Sequence, residues 1–109
     1  MNYSESLAAR VRGLLAESPG IGEKRMFGGI GFFLDGNLLV AVWKDLLIAR
    51  LGPEEADVAL KEPHTRVMDI TGRVMRGWVM VAPEGVERDP ALRAWLERAL
   101  KFVVTLPAK

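Results

Sequence analysis

The chain has 109 residues, half of them hydrophobic, and its 15 basic side chains nearly balance 14 acidic ones. This length suits one domain with one core, and the composition disfavours both disorder and a strong nonspecific attraction to nucleic acid. Because the sequence contains no cysteine, disulfides, thiolate metal sites and cysteine nucleophiles are excluded.

The first half of the chain predicts one helix followed by a meander of strands. Residues 4–17 carry apolar side chains at helical spacing, with Ser4 as the N-cap. Strands are predicted at residues 24–34, 38–43 and 46–51, and the connections at residues 35–37 and 44–45 are short. Adjacent antiparallel pairing is expected because such short connections join neighbouring strands.

The second half predicts a short helix, two strands and a long helix. The short helix covers residues 52–60 with Pro53 at its first position, and the strands cover residues 66–70 and 77–82 around a turn at 71–73. The last helix has Asp89 as its N-cap and Pro90 at its first helical position. Its charged side chains, including Arg98, are assigned to a solvated face.

This order of elements predicts an α+β fold. We expect a two-layer, mostly antiparallel sheet of about five strands, with the N-terminal and C-terminal helices packed on it. Residues 38–42 and 46–49 are continuously apolar, whereas a sheet with one face in water shows alternation. Either both faces are covered, or one face makes a contact between copies of the chain, as in a homodimer.

Residues 25–36, RMFGGIGFFLDG, place three glycines inside an apolar run. A dinucleotide-binding loop has the spacing G-x-G-x-x-G between a strand and a helix. Here Leu34 stands where the third glycine would be, and no helix follows. We therefore expect no cofactor, and we assign Gly28, Gly29 and Gly31 to a bulge, a bend or close backbone packing in the first strand.

No group of residues forms a recognisable catalytic or metal-binding pattern. His64 is the only histidine, and the carboxylates concentrate at predicted helix starts, where the helix dipole explains them. We expect no enzymatic activity and no metal site. The methionines at positions 26, 68, 75 and 80 are assigned to the core or to an adaptable interface.

Arginines are the most interesting charged residues. Arg25 precedes the glycine run, while Arg66, Arg73 and Arg76 surround the predicted turn. If that turn folds back toward the first strand, the four side chains form a site for an anion or a partner. The alternative is that they are solvated at strand ends.

Residues 25–42, 69–83 and 89–109 together resemble the N-terminal domain of the TfoX/Sxy family. The most specific part is R-M-F-G-G-x-G at 25–31 followed by Asp35 and Gly36, and the next is Gly72, Arg73, Met75 and Arg76. The resemblance implies an α+β domain with an antiparallel sheet and no established enzymatic activity. In longer members a second domain follows, and those proteins regulate competence gene expression alongside a DNA-bound activator. Here we expect a single domain over residues 1–109.

These observations favour a cytoplasmic, non-enzymatic interaction domain whose protein partner is a transcription regulator. Neither a signal peptide nor a membrane span is expected. The predicted contact surfaces are a sheet edge or an apolar face, and the residues Arg25, Gly28, Gly29, Arg73 and Arg76. One alternative is a small-ligand or anion-binding domain that uses the arginines and glycine amides. Another is weak direct DNA binding, which the near-neutral charge disfavours.

Overall fold

The computed structural model describes residues 3–26, 28–70 and 72–109. The helices are α1 (Glu5–Leu14), α2 (Pro53–Ala59) and α3 (Asp89–Val103). The strands are β1 (Ile21–Met26), β2 (Gly29–Leu34), β3 (Asn37–Trp43), β4 (Leu46–Arg50), β5 (Thr65–Val67) and β6 (Trp78–Val81). They form one antiparallel sheet in the order β1-β2-β3-β4-β6-β5. The predicted α+β fold is confirmed.

The glycine run differs most from its prediction. Instead of one strand over residues 24–34, the chain forms the two strands β1 and β2, which pair with Met26 opposite Gly29. Gly28 lies in the connection with φ at +78°, a conformation that side chains other than glycine rarely adopt. The sheet therefore has six strands rather than about five. Phe27, which was assigned to the same strand, lies outside the described residues.

The helices pack on one face of the sheet and form the main core. Val11 of α1, Phe32 of β2 and Leu92 of α3 are fully buried in it. Ser4 is confirmed as the N-cap of α1, because its hydroxyl accepts a hydrogen bond from the Leu7 amide at 3.1 Å. This helix ends at Leu14, earlier than the predicted residue 17.

The start of α3 corrects a prediction. Arg88 occupies the N-cap position, and Asp89 is the first helical residue. The Asp89 carboxylate instead accepts hydrogen bonds from Arg10 of α1 at 3.0 and 3.1 Å. The same guanidinium donates to the Val86 carbonyl at 2.7 Å, so Arg10 joins α1 to the approach to α3.

The opposite face of the sheet explains the continuous apolar runs. Phe32 pairs with Val40 and Phe33 with Leu38, so Leu39 is an extra, bulged residue that joins Val40 in the main core. A second apolar cluster forms on the other face. Its buried members are Ala41, Leu46, Ile48, Met68 and Met80. Both faces of the central strands are therefore buried.

The segment after β5 covers part of this second face. The strand predicted at residues 66–70 pairs only as far as Val67, because the chain then leaves the sheet edge. We call residues 68–70 and 72–77 the covering loop. Thr71, assigned to a turn, lies outside the described residues. Among the described helices, none has the length and apolar character needed to cross a membrane.

Candidate functional site

An apolar groove lies on the second face of the sheet, beside the covering loop. Its volume is about 170 Å³. Half-buried apolar side chains from three strands and the loop line it: Met26, Leu38, Trp43, Ile70, Met75 and Trp78. Its lining also includes the more deeply buried Ala41, Ile48 and Met68. The groove thus offers apolar contact area to a molecule approaching this face.

Hydrogen bonds close the covering loop on itself and anchor its far end. The Met75 amide donates to the Met68 carbonyl at 2.9 Å, which closes the loop on itself. The Gly77 carbonyl accepts from the Leu51 and Gly52 amides at 2.8 and 3.0 Å. The far end of the loop is therefore fixed at the junction between β4 and α2.

Gly29 shapes the groove where β2 begins. A Cβ atom at this position would collide with the Val42 carbonyl oxygen of β3, which is backbone and cannot move aside cheaply. This contact confirms close backbone packing at Gly29, whereas Gly28 lies in the turn between β1 and β2 rather than inside one strand. Because Gly29 has no side chain and is buried, it contributes backbone alone to the groove lining.

The structure places Arg25 on the helix side of the edge strand β1. Arg25 pairs with Ile30, which belongs to the main core, and residues opposite each other in adjacent strands share a face. Arg66 pairs with Met80 of the second cluster, so it lies on the other face. The sheet therefore separates two arginines that the sequence analysis grouped.

The remaining two arginines belong to the covering loop. Arg73 is exposed, and Arg76 forms an ion pair with Asp57 of α2 at 3.3 Å. Within the described parts of the chain, Arg25 and Arg76 have no hydrogen-bond partner in common. A shared anion site for Arg25, Arg73 and Arg76 stays a prediction.

Two cations stand over the aromatic walls of the groove. The Lys44 ammonium lies 4.6 Å from the centroid of the Trp43 ring, and the Arg50 guanidinium lies 5.2 Å from that of Trp78. Cations at such distances are attracted to the ring faces. Sequence reasoning did not identify either tryptophan. The available signal was the group of methionines, of which Met26 and Met75 line the groove and Met68 and Met80 are buried.

A second concavity, of about 480 Å³, lies between α2 and α3. Arg98 projects there and pairs with Glu55 at 2.6 Å and with Glu62 at 2.8 Å. Burial disfavours the Arg98 cation, but hydrogen bonds to both carboxylates outweigh this effect and raise its pKa above the ordinary value. The prediction that Arg98 is on a solvated face is wrong, because its charge is used to join two helices.

The described part of the chain brings no acid–base or metal-binding group together at the groove. His64 is exposed in the connection before β5. Across residues 3–26, 28–70 and 72–109, no three His, Asp or Glu side chains come close enough to hold a metal ion. Among the residues that the structure describes, those lining the groove supply no acid, base or nucleophilic side chain. What it supports chemically is the binding of apolar groups.

Comparison with protein families identifies the domain. Residues 13–103 match the TfoX N-terminal domain. The chain belongs to this family. The match to the TfoX N-terminal domain begins within α1 and ends at the last residue of α3, so it spans the whole sheet and the covering loop. Comparison with curated proteins finds no match.

Proposed function

We propose that this TfoX N-terminal domain is a non-enzymatic protein-interaction domain, acting in the cytoplasm in transcriptional regulation of the competence type. The groove on the second face of the sheet is its contact surface. The observation that carries the proposal is the pair of half-buried tryptophans, Trp43 and Trp78, that line an otherwise apolar groove.

The chemistry of the groove supports binding to protein. Tryptophan is enriched among the residues that contribute most to interface affinity. Methionine is flexible and polarisable, so Met26 and Met75 can adapt to the shape of a partner side chain. The regulatory role is supported by membership of the family, whose longer members were expected to work beside a DNA-bound activator. The partner we propose is accordingly a transcription regulator.

The test compares proteins recovered from native cells with the tagged domain and with two variants. Met75→Asp places a carboxylate on the groove, whereas the control Val104→Asp makes the same kind of change at a side chain that is 68% exposed beyond α3. We expect the partner to be recovered with the parent domain and with Val104→Asp, and lost with Met75→Asp. Thermal melting of each variant shows that loss of the partner is not loss of the fold.

Two results would reject the proposal. If the parent domain recovers no protein above background from native cells, it is not an interaction domain. If Arg25→Glu and Arg76→Glu abolish recovery while Met75→Asp does not, the arginines rather than the groove form the contact surface.

The volume of the groove supports a second candidate function, the binding of a small apolar ligand. An engineered apolar cavity of about 150 Å³ binds benzene, and the groove is of similar size. A ligand at 100 times its dissociation constant stabilises a protein by about 2.7 kcal/mol. A thermal-shift panel of apolar compounds, nucleotides, phosphates and carboxylates therefore tests this function and the anion-binding alternative. The absence of any shift would reject both.

A further inference from the structure

We propose that the groove receives one large apolar side chain from an acidic segment of the partner protein. The apolar side chain fills the groove, and neighbouring Asp or Glu residues pair with cations around it. This inference rests on the proposed function and specifies the chemistry of the partner.

The size and lining of the groove fit a single side chain. At about 170 Å³ the space is close to that of the cavity known to hold one benzene ring, and it is lined by apolar groups from the strands and the covering loop. Half-buried walls at Trp43, Met75 and Trp78 leave the space open to an approaching chain. A phenylalanine or leucine side chain would gain burial without leaving a polar group unpaired.

The charges around the groove indicate which residues of the partner segment flank its apolar side chain. Lys44 and Arg50 lie over the rings of the two tryptophans that line the groove, and the Arg50 guanidinium also donates to the carbonyl of Leu38, another lining residue, at 3.4 Å. Carboxylates on a partner segment would meet these cations as the apolar side chain entered. Charge-assisted hydrogen bonds of this kind are stronger than those between neutral groups.

Other strand residues on this face carry the same sign of charge. Lys24 shares the face of Met26 because it is two residues away in β1, and Arg66 lies opposite Met80. The acidic residues nearest to the groove in sequence are Asp45, in the turn after Trp43, and Asp69, in the covering loop. The strands, as far as the structure describes them, place no carboxylate on this face, since their one acidic residue, Glu23, pairs with Arg12 of α1.

The same charges argue against a second copy of the chain as the occupant. A two-fold contact through this face would bring the cations around the groove of one copy close to those of the other copy. Like charges that face each other across an interface are unfavourable and lower the rate of association. An acidic segment gains from the same arrangement, so the observed charges favour a different protein over a homodimer at this surface.

The experiment uses NMR of the ¹⁵N-labelled chain and three synthetic peptides. The probe is acetyl-Asp-Glu-Gly-Asp-Phe-Glu-Gly-Asp-Glu-amide. One control replaces its Phe by Ala, and the other replaces each acidic residue by Lys. The indole N–H signals report directly on Trp43 and Trp78, while Trp95, which is 7% exposed on α3, serves as an internal reference. We expect the probe alone to shift Trp43 and Trp78, leaving Trp95 unchanged.

A charge-reversal variant tests the role of the cations. Lys44→Glu should weaken binding of the probe about fivefold, because one exposed charge pair contributes up to about that factor. Lys101→Glu makes the same change on the helix side of the molecule and should leave binding unchanged. Added salt should weaken binding by the parent chain, because salt screens the charge of the exposed Lys44.

The outcomes separate this inference from the proposed function. Equal binding of the acidic and lysine peptides, or of the Phe and Ala peptides, would overturn the inference. So would shifts of Trp43 and Trp78 that depend only on protein concentration, because they would identify a second copy as the occupant. If no peptide moves these signals while Met75→Asp still abolishes recovery of the native partner, the proposed function stands and the assigned partner chemistry is wrong.

Discussion

At the scale of single residues, Gly29 determines how closely β2 and β3 approach. A methyl group there would meet the backbone carbonyl of Val42, so the variant Gly29→Ala must displace a strand. Overpacking of this kind costs about 1–3 kcal/mol. We expect Gly29→Ala to lower the free energy of unfolding by that amount, as measured by urea denaturation.

The matched control for this prediction is Gly22→Ala. Gly22 also lies in the β1-β2 pair, opposite Phe33, but a Cβ atom there would meet nothing within 4 Å. Alanine reduces the freedom of the unfolded chain, so this variant should be neutral or slightly more stable. Equal destabilisation by the two variants would show that loss of glycine itself, and not the contact with Val42, causes the effect.

Arg98 of α3 stabilises the contact between α3 and α2, away from the groove. Its side chain is only 23% exposed, pairs with Glu55 and Glu62 and lies 4.5 Å from the centroid of the Trp95 ring. We expect Arg98→Gln to destabilise the domain by about 1–2 kcal/mol, because the variant loses both ion pairs and the contact of the cation with the Trp95 ring. The loss stays in this range because both partner carboxylates are partly solvated and recover some hydration. Chemical denaturation provides the measurement. Arg93→Gln, on the exposed surface of the same helix, should change stability much less.

At the scale of elements, an ion pair joins α1 to the edge strand β1. Arg12 donates to both carboxylate oxygens of Glu23, at 2.6 and 2.8 Å. These hydrogen bonds hold the pKa of the Glu23 carboxyl below its ordinary value of 4.5. A lowered folded-state pKa means that the unfolded state binds the proton more readily, so the stabilisation is fully present above the ordinary pKa.

The resulting prediction concerns the pH dependence of stability. The stabilisation by Glu23 should be lost as pH falls from about 4.5 through the lower pKa of the folded state. The parent domain should therefore be more stable than Glu23→Gln at neutral pH, and the difference should shrink in acid. Thermal melting of both proteins, from neutral pH to below pH 4.5, measures this difference in stability. A difference that is constant with pH would mean that the Glu23 charge is not involved.

The elements that could be predicted from sequence are those with a strong hydrophobic period. α3 was predicted well because its buried residues Leu92, Trp95, Leu96, Ala99 and Val103 follow one helical stripe. β1 was not predicted as a separate strand, because residues 22–25 are exposed on an edge strand and show no apolar alternation. Without that alternation, the turn at Gly28 could not be distinguished from a bulge in one long strand.

At the scale of the whole molecule, the groove depends on contacts between residues far apart in sequence. Met26 of β1 and Met75 of the covering loop line the same space, although the sheet order separates β1 from β6 by three strands. The loop reaches this position because Gly77 is anchored at Leu51 and Gly52. The methionines can be assigned to a core or an interface from sequence, but this path of the chain rests on long-range contacts that no local pattern reveals.

The contrast between sheet and loop predicts two levels of local stability. β3 and β4 are hydrogen-bonded on both sides and largely buried, whereas the covering loop carries exposed residues such as Arg73 and Val74 between its two anchors. Amides in a loop of this kind exchange through local opening, while those of central strands require global unfolding. We expect hydrogen exchange, followed by NMR, to be at least about 100-fold faster at Arg73 and Val74 than at Val40 and Leu47. Binding of the probe peptide, which carries Phe among acidic residues, should slow hydrogen exchange at the amides of the covering loop. Similar protection from exchange in the covering loop and in the central strands would instead show that the loop opens only when the whole domain unfolds. The groove would then have a fixed width.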